Sequence, residues 1–286
     1  MNAQTKKKKS ALVLEGGGMR SSYVAGALLA LQEMGMPEFD IVLGTSAGAC
    51  CAANYLMGRP EYNQFVLEER LASPRFIQYK NILSKKNIMD IDYLMDDSFE
   101  TLDGLQEKLQ DMKTKFYIVV SNCETGETLY LDGAKENIRE AIRMSCAIPY
   151  LYRRELYYHG DRVMDGGLTN SIPIAKAIEE GCENILVVCS RREDYRKKPS
   201  KFSWLNRLVF RQYPHVVEAL MRRHEEYNQT IDLIEQAPEG VKITAIRPQF
   251  DLPVSRATRD RIKVRRGIQQ GFYDAYQVLS KNRWLL

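Results

Sequence analysis

The chain has 286 residues, with 41 Lys and Arg against 37 Asp and Glu for a formal charge of +4, and only three histidines and six cysteines. That length buries a substantial core in one large α/β domain or two ordinary ones, which excludes a disulfide-stapled miniprotein; 44% hydrophobic and 27% charged residues, with a mean hydropathy of −0.38, exclude a disordered or collagen-like chain. Chemistry that needs a histidine base or a multi-histidine metal cage must draw on His159, His215 or His224.

In chain order, the basic tail 1–10 carries the run Lys6–Lys9, and only Ala11–Leu14 follow before Glu15, too short for the apolar region of an export signal. The run Ala11–Glu15 reads as a buried strand that stops at Gly16-Gly17-Gly18. Val24, Ala27, Leu28, Leu31 and Met34 then recur at helical spacing until Gly35. Phe39–Leu43 reads as a second strand, Gly44–Gly48 as a small-residue turn, and Ala49–Met57 as a second helix closed by Gly58 and Pro60. The charge-free stretch Ile41–Gly58 is broken by Gly44, Thr45, Ser46, Gly48 and Asn54, so it reads as strand, turn and helix rather than a membrane span. Parallel strands joined by a crossover helix put both strand ends on one sheet edge, where open α/β sheets bind ligands. The Gly16 and Gly44 turns are therefore expected side by side.

Residues 59–114 are more polar and helical in character, and are expected to form a cap insertion over the site. Lys115–Ser121 and Glu127–Leu131 read as a hairpin about Glu124-Thr125-Gly126, Lys135–Met144 as a helix, and Ile172–Glu180 as another. A polar strand region surrounds Tyr157, Asn184–Cys189 and Val241–Ile246 read as strands, and Ala257–Leu279 as a final helix. The six cysteines contain no CxxC pair and sit among apolar neighbours, as suits reduced core thiols; neither a metal nor an organic cofactor is expected.

Gly44-Thr45-Ser46-Ala47-Gly48 is a G-x-S-x-G motif between strand and helix, the setting of a nucleophile elbow, and the following helix aims its free amides and positive dipole end at a reacting carbonyl. The plainer reading is a turn whose glycines serve only close packing. Gly16-Gly17-Gly18-Met19-Arg20 can turn backbone amides toward a phosphate or an oxyanion. Dinucleotide binding is weakened by Ser21 at the sixth position of G-x-G-x-x-G, and no G-K-[ST] follows. An oxyanion donor beside a reactive serine is worth about 3 kcal/mol. Arg20 suits an anionic head group and a structural carboxylate equally.

A serine nucleophile needs a base. Only His215 and His224 follow Asp165, both in the charged helix PHVVEALMRRHEEYN without turn chemistry, so surface or helix-face roles suit them better. Asp165, after Val163-Met164 and before Gly166-Gly167, has the look of an acid at a strand end in a tight turn. Desolvation raises the pKa of such a carboxylate and lets it accept the serine proton. By itself, Asp-Gly-Gly reads as an ordinary turn.

Together EGGGMR, GTSAG and DGG, in that order and with SCAIP upstream of the last, resemble the patatin-like phospholipases, serine acyl hydrolases with a Ser-Asp dyad. The resemblance spans Ala11–Cys189, with a weaker likeness over Asp251–Leu279 to a bacterial subgroup. It implies a three-layer α/β/α fold on a mostly parallel sheet, Ser46 as nucleophile, Asp165 as base, and an oxyanion hole from Gly16, Gly17, Gly18 and Met19. Arg20 takes the basic position of the motif, and Gly44, Gly48, Gly166 and Gly167 support it. Glu15 stands where the family often has Asp, and SCAIP replaces a fuller Ala-Ser-Ser-Ala-x-Pro block. The implied domain plan is the tail 1–10, an acyl-hydrolase core 11–190, and a basic, helical extension 191–286 packed on the core.

That extension opens with ten Lys and Arg against three Asp and Glu in Arg191–Arg223, interleaved with Tyr195, Phe202, Trp204, Leu205, Leu208, Val209 and Phe210. Lys and Arg near an anionic lipid surface contribute about 1 kcal/mol each, so peripheral membrane contact is one reading, and a solvated charged face with a packed tryptophan is the plainer one. No nucleic-acid module accompanies the charge. The sequence thus points to a cytoplasmic or membrane-peripheral lipid esterase, with a non-catalytic anion- or lipid-binding protein on the same scaffold as the alternative.

Overall fold

The computed structural model describes residues 8–97, 99–200 and 203–282. Lys6 and Lys7 of the basic tail, and Lys201 and Phe202 of the basic stretch, lie outside the described residues. Lys8 and Lys9 do not project as a free patch: Lys8 Nζ is 3.4 Å from Glu183, and Lys9 Nζ donates to the Glu180 carbonyl at 2.5 Å.

The first unit follows the apolar periodicity, with β1 (Ser10–Leu14), α1 (Ser21–Glu33), β2 (Ile41–Thr45) and α2 (Ala47–Leu56). The polar insertion then folds as α3 (Tyr62–Phe65), a π-helical turn Val66–Leu71, α4 (Ile91–Asp97) and α5 (Leu105–Asp111). The hairpin is β3 (Lys115–Asn122) and β4 (Thr128–Asp132), closed where Asn122 Oδ1 accepts the Glu124 and Thr125 amides. There follow α6 (Ile138–Ser145), capped by the Asn137 side chain, then β5 (Leu156–Tyr158), β6 (Asp161–Asp165), α7 (Ile174–Glu179) and β7 (Asn184–Val188). The last part holds α8 (Ser203–Val209), α9 (Pro214–Glu235), β8 (Lys242–Ile246) and α10 (Arg261–Leu279).

The strands form one mixed sheet in the order β5-β6-β3-β2-β1-β7-β8, with β4 also paired to β3. β3, β2, β1, β7 and β8 run parallel, while β4, β5 and β6 are antiparallel additions. Period-two alternation splits each central strand between two cores. Leu12, Leu14, Val42, Leu186 and Val188 face the layer of α1, α2 and α10, whereas Ala11, Val13, Ile41, Leu43, Ile185 and Val187 face α7 and α9. This is the expected three-layer sandwich. The sheet does not end at residue 190, however: β8 pairs in parallel with β7, so the C-terminal segment adds a strand as well as helices.

α10 lies directly on α1. A Cβ on Gly26 would fall 1.9 Å from the Ile268 carbonyl, and one on Gly271 would fall 2.0 Å from the Tyr23 carbonyl, so the two backbones meet with no room for side chains. The insertion is tied down on two sides. Arg265 of α10 pairs with the buried Glu68 at 2.5 Å, and Arg143 of α6, itself buried, holds Asp92 and Asp96 of α4 at 2.5 and 2.6 Å. Among the described residues, no helix is long and apolar enough to cross a membrane.

Candidate active site

β3 sets the spacing of the two chemically distinctive residues. Val119 lies opposite Thr45 in the parallel pairing with β2, and the next residue, Val120, lies opposite Asp165 in the antiparallel pairing with β6. The residue after Thr45 is Ser46. One strand register therefore brings together side chains 119 positions apart, and Ser46 Oγ donates to Asp165 Oδ2 at 2.5 Å.

Ser46 sits at φ 54°, ψ −129°, a strained conformation for a non-glycine residue, between the end of β2 and the start of α2. Its neighbours permit the turn. A Cβ on Gly44 would fall 2.6 Å from Ala49 Cα, and one on Gly48 would fall 2.5 Å from the Leu14 carbonyl. The strain is held by Ser145, whose Oγ accepts the Ser46 amide at 2.8 Å and donates to the Val119 carbonyl at 2.6 Å.

Asp165 ends β6 and is buried. Its Oδ1 accepts the Gly167 amide at 2.7 Å, its own amide donates to the Ala147 carbonyl at 3.0 Å, and Arg223 Nε fixes the turn by donating to the Gly167 carbonyl at 2.6 Å. Gly166 is required here, since a Cβ would lie 2.2 Å from the Val119 carbonyl. Burial raises the Asp165 pKa above the ordinary carboxylate value, and the Ser46 hydroxyl, the Gly167 amide, Arg223 and Arg256 partly oppose that rise.

The glycine turn lies beside the serine: a Cβ on Gly16 would be 3.3 Å from Ser46 Cβ. The structure corrects the expected donor set, because two of its four amides are already used. Gly16 donates to the Ser171 carbonyl at 3.1 Å and Met19 to the Arg256 carbonyl at 3.0 Å, anchoring the loop at both ends. The amides of Gly17 and Gly18 donate to no acceptor among the described residues, and both glycines line the same cleft as Ser46 and Asp165. Gly18 stands at φ 56°. Arg20 is buried without a carboxylate partner among the described residues and donates to Ser190 Oγ at 3.3 Å. Glu15, also buried, accepts the Ser190 amide and the Tyr227 hydroxyl.

The cleft continues into an apolar slit of about 40 Å³ that shares Gly18, Ser46 and Ile148 with it; the insertion supplies Val66, Leu71, Phe76, Leu94 and Phe99 to its wall. No histidine joins the serine. His224 Nδ1 lies 2.9 Å from the Met221 carbonyl, His215 packs near Gly126, and His159 occupies a turn at φ 51°. The six cysteines are free and buried, and Cys50 and Cys146 line the slit with their sulfurs 3.6 Å apart.

Comparison with known proteins adds the family. The model of the patatin-like phospholipase family matches residues 12–178, and one for a domain of unknown function matches residues 213–285. This chain belongs to the patatin-like phospholipases. It is 27% identical over 242 residues to the uncharacterized protein YjjU of Escherichia coli, covering 83% of this chain and 68% of that one. Lysophospholipase NTE1 of Kluyveromyces lactis is 23% identical over 94% of this chain, which spans only 19% of that protein. Patatin-like phospholipase domain-containing protein 7 of Rattus norvegicus is 26% identical over 62% of this chain, which spans 13% of it. Among solved structures, VipD from Legionella pneumophila superposes with a TM-score of 0.54 at 14% identity, covering 96% of this chain and 67% of that one; the likeness is one of fold.

Three contributors escaped the sequence reading. Ser145 belongs to the SCAIP block, which in the sequence reads only as a departure from the family's fuller block, and its role depends on a backbone amide 99 residues away. Arg223 sits in a segment read as charged helix and Arg256 just before the final helix, and only the packing of the C-terminal part against the glycine turn and the Asp-Gly-Gly turn brings them to the cleft.

Proposed function

We propose that this protein is a serine acyl hydrolase that cleaves carboxylic esters of lipids through Ser46 and Asp165. The observation that carries this reading is the 2.5 Å hydrogen bond from a serine in a strained elbow to a buried carboxylate whose second oxygen is already held. Ser46 Oγ attacks the ester carbonyl as its proton passes to Asp165 Oδ2. The tetrahedral oxyanion is met by the amides of Gly17 and Gly18, and collapse expels the alcohol, which takes the proton from Asp165. Asp165 then deprotonates a water that releases the acid from the acyl-enzyme. The apolar slit suits the acyl chain, and the insertion that walls it acts as a cap. Exposed Trp204, Leu208 and Val209 on α8 support peripheral contact with an anionic membrane.

The test is hydrolysis of p-nitrophenyl esters of increasing chain length by the whole chain, with Ser46→Ala and Asp165→Asn as controls. Turnover by wild type and its loss in both variants is the expected result. Absence of turnover in wild type, or full turnover in Ser46→Ala, contradicts the reading and favours a non-catalytic binding protein.

A further inference from the structure

A larger cavity, of about 840 Å³, opens from the serine cleft and shares Ile148, Pro149, Arg223 and Arg256 with it. Its Lys and Arg lining is unopposed: Arg20 comes from the glycine turn, and Arg191, Lys197, Lys198, Arg223 and Arg256 come from the C-terminal segment. No carboxylate lines it. Among the described residues none of these six side chains forms an ion pair, although the surface of the same protein is rich in them.

Four of the six hold neutral partners. Arg20 donates to Ser190 and Arg223 to the Gly167 carbonyl, the Lys197 amine lies 4.1 Å above the Tyr227 ring, and the Arg191 guanidinium lies 4.6 Å above that of Tyr195. The nearby carboxylate, Glu15, has its oxygens occupied by the Ser190 amide and the Tyr227 hydroxyl. The cost of crowding these cations shows in their proton affinity. Burial is the largest cause for each, and repulsion from neighbouring cations adds to it against the opposing pull of Glu15, so that Arg20 and Arg223 are lowered to about 10 and Lys197 to about 6, where its amine takes up a proton when an anion enters. An anion entering the cavity relieves that repulsion and meets guanidinium forks suited to phosphoryl oxygens.

The position of this cluster defines the ligand. The serine cleft stands between the apolar slit and the cationic cavity, touching both. A molecule whose ester carbonyl lies at Ser46 therefore extends one arm of hydrocarbon and another of negative charge. Building on the acyl-hydrolase reading above, we propose that the cavity is a head-group subsite that binds the phosphoryl group of an acidic phospholipid, and that the C-terminal segment thereby sets substrate preference.

The experiment uses the full chain and monomeric dihexanoyl lipids below their micelle concentrations, so that surface attraction plays no part. The values of kcat/KM for phosphatidic acid and phosphatidylglycerol are compared with that for phosphatidylcholine. Wild type is expected to favour the acidic lipids by about tenfold or more. Arg256→Gln and Lys197→Gln are each expected to collapse most of that ratio through KM, and Lys197→Arg to retain it. Equal rates on acidic and zwitterionic lipids, or a preference that survives both glutamine variants, overturns the proposal. Inorganic phosphate that binds wild type but not Arg256→Gln, with no lipid preference, assigns the cavity to free phosphate and overturns the head-group role. p-Nitrophenyl butyrate, which carries no anion, separates the two levels: failure to cleave it or any lipid overturns the hydrolase reading itself.

Discussion

Ser145→Ala isolates what holds the nucleophile in place. Ser145 is fully buried, and its hydroxyl is the acceptor for the Ser46 amide at 2.8 Å and a donor to the Val119 carbonyl at 2.6 Å. Removing it leaves a buried N–H without a partner, at about 1–3 kcal/mol, and takes one bond from a carbonyl inside the sheet; the total is about 2–4 kcal/mol. For a chain of this size that lowers Tm by roughly 5–10 °C. The same change frees the peptide that fixes Ser46 at φ 54°, and a displacement of about 1 Å at a reacting atom costs about 100-fold in rate. Thermal unfolding followed by circular dichroism, together with p-nitrophenyl butyrate kinetics well below the lowered Tm, measures both effects. A variant that melts with wild type and turns over within twofold of it would falsify the claim that Ser145 positions the nucleophile.

Asp165→Asn is expected to lower kcat by about 10²–10⁴-fold, the range for loss of a positioned general base. Burial raises the Asp165 pKa, so its contribution to stability is present below the unfolded carboxylate value and lost as pH rises through the folded one; at neutral pH the asparagine variant should melt no lower than wild type. For the same reason, activity should fall with acidification at a pH above the ordinary carboxylate range. Arg223→Gln, which removes a cation that opposes the rise, should move that acid limb upward, and a limb that stays put or moves down counts against Asp165 as the base. Gly18→Ala places a Cβ 2.6 Å from the Arg256 carbonyl at a residue with φ 56°, so the loop must shift; kcat should drop about 10²–10³-fold, and activity within threefold of wild type would contradict the donor assignment. Replacing Trp204 and Leu208 together with alanine should reduce co-sedimentation with anionic vesicles; binding that is unaffected, or indifferent to anionic lipid content, rules out α8 as the contact.

The central part of the fold was legible because it is written locally. Apolar runs ending in glycine turns, and a 3.6-residue period after each, placed β1, α1, β2 and α2, and β3 showed its strand character, whereas its register against β2 and β6 is a property of the folded sheet. The insertion was less legible because its helices are short, so the apolar side chains they bury, among them Leu67, Ile91, Leu94, Leu105 and Leu109, do not repeat over enough turns to show a helical period, and its ion pairs are with the distant α6 and α10. The candidate site divides the same way. Ser46 and Asp165 announce themselves through the glycines that make their turns possible. Which amides of the glycine turn stay free could not be read from the sequence, because the acceptors that consume those of Gly16 and Met19 are carbonyls of Ser171 and Arg256, more than 150 residues away. The basic stretch was read as a surface, yet Lys197 lies over the Tyr227 ring and Arg223 bonds the Gly167 carbonyl, and both contacts depend on where α9 lies.

The most direct measurement is covalent. Incubation of the folded chain with a fluorophosphonate, followed by proteolysis and mass mapping, is expected to find the phosphonyl adduct on Ser46. Labelling should be absent in Ser46→Ala and much slower in Asp165→Asn. An adduct on a different residue, or no adduct in a correctly folded wild-type protein, contradicts the assignment of Ser46 as a nucleophile activated by Asp165.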